Sequence, residues 1–370
     1  MEWSWNFGRI AGIDLKVHPT FIFLLVLTGL STLMAGGDIT VVVSDILLVL
    51  ALFLCVVLHE YGHALTARAF GIHTQDIVLL PIGGVARLER MPEDPKEELI
   101  VAAAGPAVNL VIGAALFVSL LLSGFLAPPL DIFAMMDNFW VQLMTMNFSL
   151  VAFNLIPAFP MDGGRVLRGL LGLTMDRVRA TRIAANVGRG IAVVMGLVGF
   201  IINPWLVLIA LFIWSGAGAE ALSVEVEAGL KGLTVRDALI SQFYQVEGNQ
   251  PLLTVFQLSM QTGQQNVPVV SNGHYLGIIR RRDLLKAIER LGQRAPAYAA
   301  IGVEPEGLDP KMPLAEVLPK FSTCHILPVV ENGTLIGLVT HESVQQAMWL
   351  NQLHRTVDSQ PSAEKMDKVR

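Results

Sequence analysis

The chain has 370 residues, of which 53% are hydrophobic and only 15% charged. A soluble protein of this size carries about a quarter charged residues, so a wholly soluble protein is excluded. The formal charge of −5 gives no support for nucleic-acid binding, and the two cysteines, Cys55 and Cys324, make neither a disulfide framework nor a CxxC pair.

The apolar excess ends near residue 222. A membrane domain over residues 1–222 is therefore expected, then a soluble domain over 223–352 and a disordered polar tail over 353–370. The first residues lack the basic start and small-residue cleavage site of a signal peptide, so the first apolar helix is expected to stay in the mature protein. Residues 10–17 alternate roughly between apolar and polar, as a strand does. Apolar runs at 17–34, 45–70, 99–122, 139–156, 184–202 and 205–220 predict six spans, the last two separated only by Asn203 and Pro204. The loops at 35–44 and 123–138 carry no Lys or Arg, only Asp38, Asp131 and Asp137. The opposite side holds Arg87, Arg90, Lys96, Arg165, Arg168, Arg177, Arg179, Arg182 and Arg189. The positive-inside rule then puts both termini and the soluble domain in the cytoplasm of a multi-pass cell-membrane protein.

The second span contains His59-Glu60-Tyr61-Gly62-His63. Histidines four residues apart share one helix face, about 40° apart, so both can ligate one zinc while Glu60 takes a proton from water. Such residues are costly in hydrocarbon unless they are used. Residues 76–90 read as two strands joined by a turn at Pro81-Ile82-Gly83-Gly84. This is either a short surface hairpin or an edge that an extended substrate could join.

Two histidines leave a catalytic zinc one protein ligand short. Asn154-Leu155-Ile156-Pro157-Ala158-Phe159-Pro160-Met161-Asp162-Gly163-Gly164 supplies the candidate. Its prolines break the fourth span and its glycines allow a sharp turn, so Asp162 points inward as a ligand or caps the next helix.

The HExxH motif, the N-x-x-P-x-x-P-x-D-G segment and Ala104-Gly105-Pro106-Ala107-Val108-Asn109 together resemble the site-2 protease family, zinc proteases that cut inside the membrane. The resemblance implies one zinc per chain on His59, His63 and Asp162, with Glu60 as acid/base. It also implies substrate positioning by Asn154, to which Gly83 and Gly84 are added from the strand turn. Met161 stands where the family usually has Leu, a volume-conserving change.

After residue 229 the chain repeats itself. The strand ending at Asn272-Gly273 and the next strand leading to Asp283 recur as the strands around Asn332-Gly333, leading to Ser343. Each copy predicts strand, hairpin turn, strand and helix. The repeat resembles a tandem pair of CBS domains, at about 230–290 and 296–350, which in many proteins bind adenine nucleotides. The ribose-phosphate pattern is degraded: the first copy keeps Asp283 but has Arg280 at the hydroxyl position, and the second keeps Thr340 but has Ser343 in place of the Asp. An adenine nucleotide held by Asp283, Arg280 and Thr340, and a purely structural or homodimerising module, both stay open.

The expected fold is thus a polytopic α-helical membrane domain with small β elements near the cytoplasmic face, then a soluble α/β tandem CBS domain. The expected function is an intramembrane zinc endopeptidase acting on membrane-protein substrates with a transmembrane helix, in contact with the lipid bilayer. A CBS-regulated metal transporter would spread polar ligands over several spans, and a catalytically inactive scaffold would not need Glu60.

Overall fold

The structure is a computed structural model and describes residues 4–81, 83–125, 138–302, 305–322 and 324–359. Asp131, Asp137, Ile82 and residues 360–370 of the expected tail lie outside the described residues. Two compact units divide between Val224 and Glu225.

The first unit opens with a hairpin, β1 (Trp5–Ile10) and β2 (Ile13–Val17). The single strand expected over residues 10–17 is therefore corrected. Ala11 and Gly12 take positive φ of 51° and 82° and turn the chain back on itself, a conformation that glycine adopts at no steric cost. Two further strands, β3 (Thr74–Leu80) and β4 (Gly83–Leu88), complete a sheet of order β1-β2-β3-β4. The β2–β3 pair is parallel and the other two pairs are antiparallel.

Each predicted span contains a helix: α1 (Thr20–Met34), α2 (Ile39–Ala69), α3 (Pro95–Leu122) and α4 (Phe139–Asn154), then, after a short α5 (Asp162–Gly172), α6 (Arg177–Ile202) and α7 (Pro204–Leu230). By length and composition α2, α3, α6 and α7 can cross a membrane. The 15 residues of α1 and 16 of α4 rise only about 24 Å, short of a hydrocarbon core of about 30 Å.

Several helices begin before their apolar runs because a polar cap fixes the start. The Asp38 carboxylate accepts from the backbone N–H of Thr40 and Val41, and Asp94 does the same for Lys96 and Glu97 ahead of Pro95. Asp176 likewise accepts from Arg179 N–H at 3.0 Å.

The sheet packs on α1 and α2 through Ile13, Leu15, Phe21, Phe53, Val57 and Ile77. Its polar clasp is Asp76 on β3, almost wholly buried, whose carboxylate accepts from Lys16 Nζ at 2.6 Å and from the Arg87 guanidinium. The Arg87 hydrogen bonds, with Lys16 adding to them, hold the Asp76 carboxyl below its ordinary value against the opposing effect of burial.

A second clasp sits under α5. The Arg168 side chain is 1% exposed and donates to Glu98 of α3 through Nε at 2.6 Å and to Glu220 of α7 through Nη1 at 2.5 Å. Its guanidinium lies 5.2 Å from the Phe159 ring centre. One buried cation thus ties α5 to two spans.

The second unit carries a five-stranded sheet of order β5-β6-β7-β9-β8. It contains β5 (Val246–Glu247), β6 (Asn266–Ser271), β7 (His274–Arg280), β8 (Ile326–Glu331) and β9 (Thr334–Thr340). Helix α8 (Leu252–Thr262) precedes β6, α9 (Arg281–Leu291) follows β7 and α10 (His341–Ser359) follows β9. Asn272-Gly273 and Asn332-Gly333 take positive φ at both positions, so each repeat forms the predicted tight hairpin. The hairpins join side by side where His274 pairs with Thr334. One apolar core lies around Val269 and Ile279; the other, around Val329 and Val339, also takes in Leu230, Val235 and Ala238 from the opening segment of the first copy.

Candidate metal centre

His59 and His63 lie one turn apart on α2, and both are buried. Their Nε2 atoms are 3.1 Å from each other and 3.1 and 3.2 Å from Asp162 Oδ2. Asp162 is the first residue of α5, and Met161 is the residue that caps that helix. Of its two readings the cap is therefore not the one observed, because the carboxylate turns to the histidines instead.

The local sequence allows this approach. Helix α4 ends at Asn154, and the chain then turns through Pro157 and Pro160 into α5. A Cβ on Gly164 would lie 2.6 Å from Phe159 N, and one on Gly163 would strike the carbonyl groups of Leu155 and Ile156. Only glycines let α5 start this close to the loop before it. The same holds across the site, where a Cβ on Gly105 of α3 would lie 2.6 Å from His59 Nε2 and closer still to the His63 ring.

The donor set fits zinc. His63 Nδ1 lies 2.7 Å from the Val101 carbonyl oxygen, which can only accept, so that nitrogen carries a proton. His59 Nδ1 lies 2.5 Å from Asn109 Oδ1. With both protons on Nδ1, the neutral imidazoles turn bare Nε2 lone pairs toward a carboxylate oxygen. Three such atoms without a proton between them repel unless a cation lies among them. Tetrahedral zinc with bonds of about 2.0–2.1 Å sets its ligand atoms about 3.3 Å apart. Among the described residues this is the one group of three His, Cys, Asp or Glu side chains positioned to hold a metal ion.

Glu60 stands apart from this trio. Its Oε2 accepts from Ala86 N–H of β4 at 3.2 Å, and a Cβ on Gly84 would lie 2.7 Å from Glu60 Cγ. The outer edge of β4 therefore runs beside Glu60. A cavity of about 320 Å³ joins His59, Glu60, His63 and Asp162 with Gly83, Gly84 and Asn154. All seven residues singled out in the membrane domain thus share one space. The sequence reading missed the Val101 carbonyl and Asn109, which orient the rings, and Arg165, which also lines the cavity. A signal for Asn109 existed, since an amide in an apolar helix must find a partner. The Val101 carbonyl had none, because every residue has one.

The three nucleotide candidates of the second unit are less concentrated. Arg280 lines a cavity of about 260 Å³ with Arg281, Cys324 and His325, its Nη2 3.4 Å from Cys324 Sγ. Thr340 lines an adjoining cavity of about 700 Å³ that shares Gln265, Asn266, His325 and Ile326 with the first. Thr340 and Ser343 bond each other's backbone N–H at 3.1 Å, so the hydroxyl also caps α10. Asp283 is not among the lining residues of either cavity and faces Gly302.

Comparison with known proteins agrees with both halves. The description "Peptidase family M50" matches residues 47–133 and 125–198, and "CBS domain" matches residues 235–290 and 304–349. The zinc metalloprotease MJ0392 of Methanocaldococcus jannaschii is 33% identical over 355 residues, covering 95% of this chain and 98% of its own. The stage IV sporulation protein FB of Bacillus subtilis is 29% identical over 173 residues, 46% of this chain and 52% of its own. The solved site-2 protease from M. jannaschii is 37% identical, covering 59% of this chain and 95% of that one, with a TM-score of 0.44. A near full-length relative at this identity, the matched peptidase segment around HExxH and the repeated module behind it lead to one conclusion: this chain belongs to peptidase family M50, as a membrane zinc metalloprotease of the site-2 protease type with a tandem CBS pair.

Proposed function

We propose that the chain is an intramembrane endopeptidase that cleaves transmembrane segments of membrane-protein substrates, with His59, His63 and Asp162 as zinc ligands and Glu60 as the acid/base. The observation that carries this reading is the joining, in one cavity, of three convergent lone-pair atoms, a neighbouring carboxylate and the outer edge of β4. Zinc held there supplies a Lewis acid for the scissile carbonyl and for water. Glu60 takes a proton from the attacking water and delivers it to the leaving amine. A helical peptide bond is shielded by its own hydrogen bonds, so the substrate must unwind before it is cut. The β4 edge, which begins at Gly83 and Gly84, can hold the unwound segment by strand addition, with Asn154 bonding to it. Loop charges support a cytoplasmic CBS pair and cytoplasmic termini. Adenine nucleotides at the Arg280 and Thr340 cavities, and homodimers through the CBS domains, are the regulatory part of this proposal.

The test is Glu60→Gln. The variant is expected to lose cleavage of a transmembrane substrate in detergent or vesicles while keeping its zinc, because Glu60 is assigned to proton transfer and not to ligation. Loss of zinc together with activity refutes that assignment.

A further inference from the structure

Two amides in the membrane domain do not line the metal-site cavity, and neither has any exposed surface: Asn109 on α3 and Asn147 on α4. They form a chain that ends on a metal-site histidine. Asn147 Nδ2 lies 2.9 Å from the Leu143 carbonyl oxygen, one turn back on its own helix. Asn147 Oδ1 lies 2.8 Å from Asn109 Nδ2, and Asn109 Oδ1 lies 2.5 Å from His59 Nδ1.

The direction of this chain is fixed by its far end. A backbone carbonyl only accepts, so the group of Asn147 that faces Leu143 must be the NH₂. Asn147 then presents its oxygen to Asn109. That oxygen draws the NH₂ of Asn109, which leaves the Asn109 oxygen facing His59. His59 Nδ1 must therefore carry the proton, and its lone pair falls on Nε2, the atom directed at Asp162 and His63. Cys55 Sγ, 3.5 Å from Asn147 Nδ2, is a weak acceptor on the same side and agrees with this orientation. His63 needs no such relay, because its Nδ1 meets the Val101 carbonyl directly.

Without Asn147, Asn109 could rotate its amide by half a turn and offer NH₂ to His59. The ring would then hold its proton on Nε2 and could not ligate. We propose that Asn147 is a positioning residue for the metal centre, acting through Asn109 to set the tautomer of His59. This rests on the assignment of His59, His63 and Asp162 as metal ligands.

The test measures zinc affinity of the purified full-length protein in detergent, by competition with a chromophoric chelator, with thermal unfolding of the zinc-free protein as the control. Asn147→Leu is expected to weaken zinc binding by about 10- to 100-fold, the range typical of residues that orient a ligand. Asn147→Asp keeps an acceptor for Asn109 and is expected to stay within a few-fold of wild type. A packing role predicts the opposite order, since a buried carboxylate is tolerated less well than leucine. The decisive pair is Asn109→Asp with and without Asn147→Leu. A carboxylate at position 109 can only accept from His59, so the second substitution should cost no further affinity. A loss that persists in that background, or unchanged affinity in Asn147→Leu alone, overturns the relay. If Asn147→Leu does not fold, nitrogen-15 spectra of histidine-labelled, zinc-free wild type decide, because an unprotonated His59 Nδ1 also overturns it. Wild type that binds no zinc at all instead overturns the ligand assignment beneath the proposal.

Discussion

Gly105→Ala tests how tightly the three proposed ligands converge. The new methyl would lie 2.6 Å from His59 Nε2 and closer to His63 Nε2. Ordinary carbon contacts need about 3.5–4.0 Å, so roughly 1 Å of separation is missing. Neither imidazole can swing aside freely, because His59 is held at Nδ1 by Asn109 and His63 by Val101. Moving α3 away would give up its close packing on α2, where a Cβ on Gly62 would lie 2.8 Å from Ala104 O. Overpacking of this kind costs about 1–3 kcal/mol. Here the clash falls on the ligand atoms themselves, so the cost should appear in zinc binding, as about a 5- to 150-fold loss at 1.4 kcal/mol per tenfold. The assay is zinc affinity by chelator competition, with melting temperature recorded alongside. Gly199→Ala is the control: on α6 its Cβ would lie 2.7 Å from Leu206 Cβ, and neither residue lines the metal-site cavity. It should alter stability and leave zinc affinity unchanged. Wild-type zinc affinity in Gly105→Ala would refute the close convergence of the three ligands.

Asp162→Ala should lower zinc content measured by metal analysis, whereas Asp176→Ala should not, because Asp176 spends its carboxylate on capping α6 at Arg179; equal zinc in both removes Asp162 from the metal. Asp76→Asn should destabilise the membrane domain by about 1–3 kcal/mol at neutral pH, less than a fully buried pair because Lys16 and Arg87 are partly exposed. The Asp76 carboxyl is held below its unfolded value of about 3.9, so its contribution is complete above that pH and is lost as pH falls through the lowered folded value. Thermal melts of wild type and Asp76→Asn should therefore converge below about pH 4, and a gap that widens on acidification contradicts the ion-pair account. Calorimetric titration of the full-length protein with ATP or AMP should give heat that Arg280→Ala weakens, because Arg280 lines the proposed cavity; no heat up to millimolar nucleotide leaves the CBS pair as a structural or dimerising module.

Most of the candidate metal site was legible because its chemistry is local in sequence. A spacing of four puts His59 and His63 on one helix face whatever surrounds them. Two prolines and two glycines around Asp162 forced a break wherever that segment lay. The CBS repeat was legible for the same reason, since Asn272-Gly273 and Asn332-Gly333 dictate hairpins within two residues. The failures were of range. Residues 10–17 read as one strand because alternation continues across Ala11-Gly12, and only pairing of β1 with β2 reveals the turn. Arg168 read as one of many cytoplasmic charges, yet it is buried between Glu98 and Glu220, seventy and fifty-two residues away along the chain. No periodicity announces a partner at that distance.

The same contrast explains how the site is built. The proposed ligands sit on two short motifs, but what aims them is spread over the fold: Val101 and Gly105 on α3, Asn109 a turn beyond, and Arg168 holding α5 against α3 and α7. Each of these groups is buried, and each would be costly in hydrocarbon if left unpaired. A bundle of apolar helices has little to fix its rotation or depth, because leucine against lipid and leucine against leucine are nearly equivalent. Buried hydrogen bonds and one ion cluster with demanding geometry restrict that freedom. Precision at three ligand atoms therefore depends on polar pairs that never touch the metal, and substitutions among those pairs should disturb zinc binding before they disturb the helices.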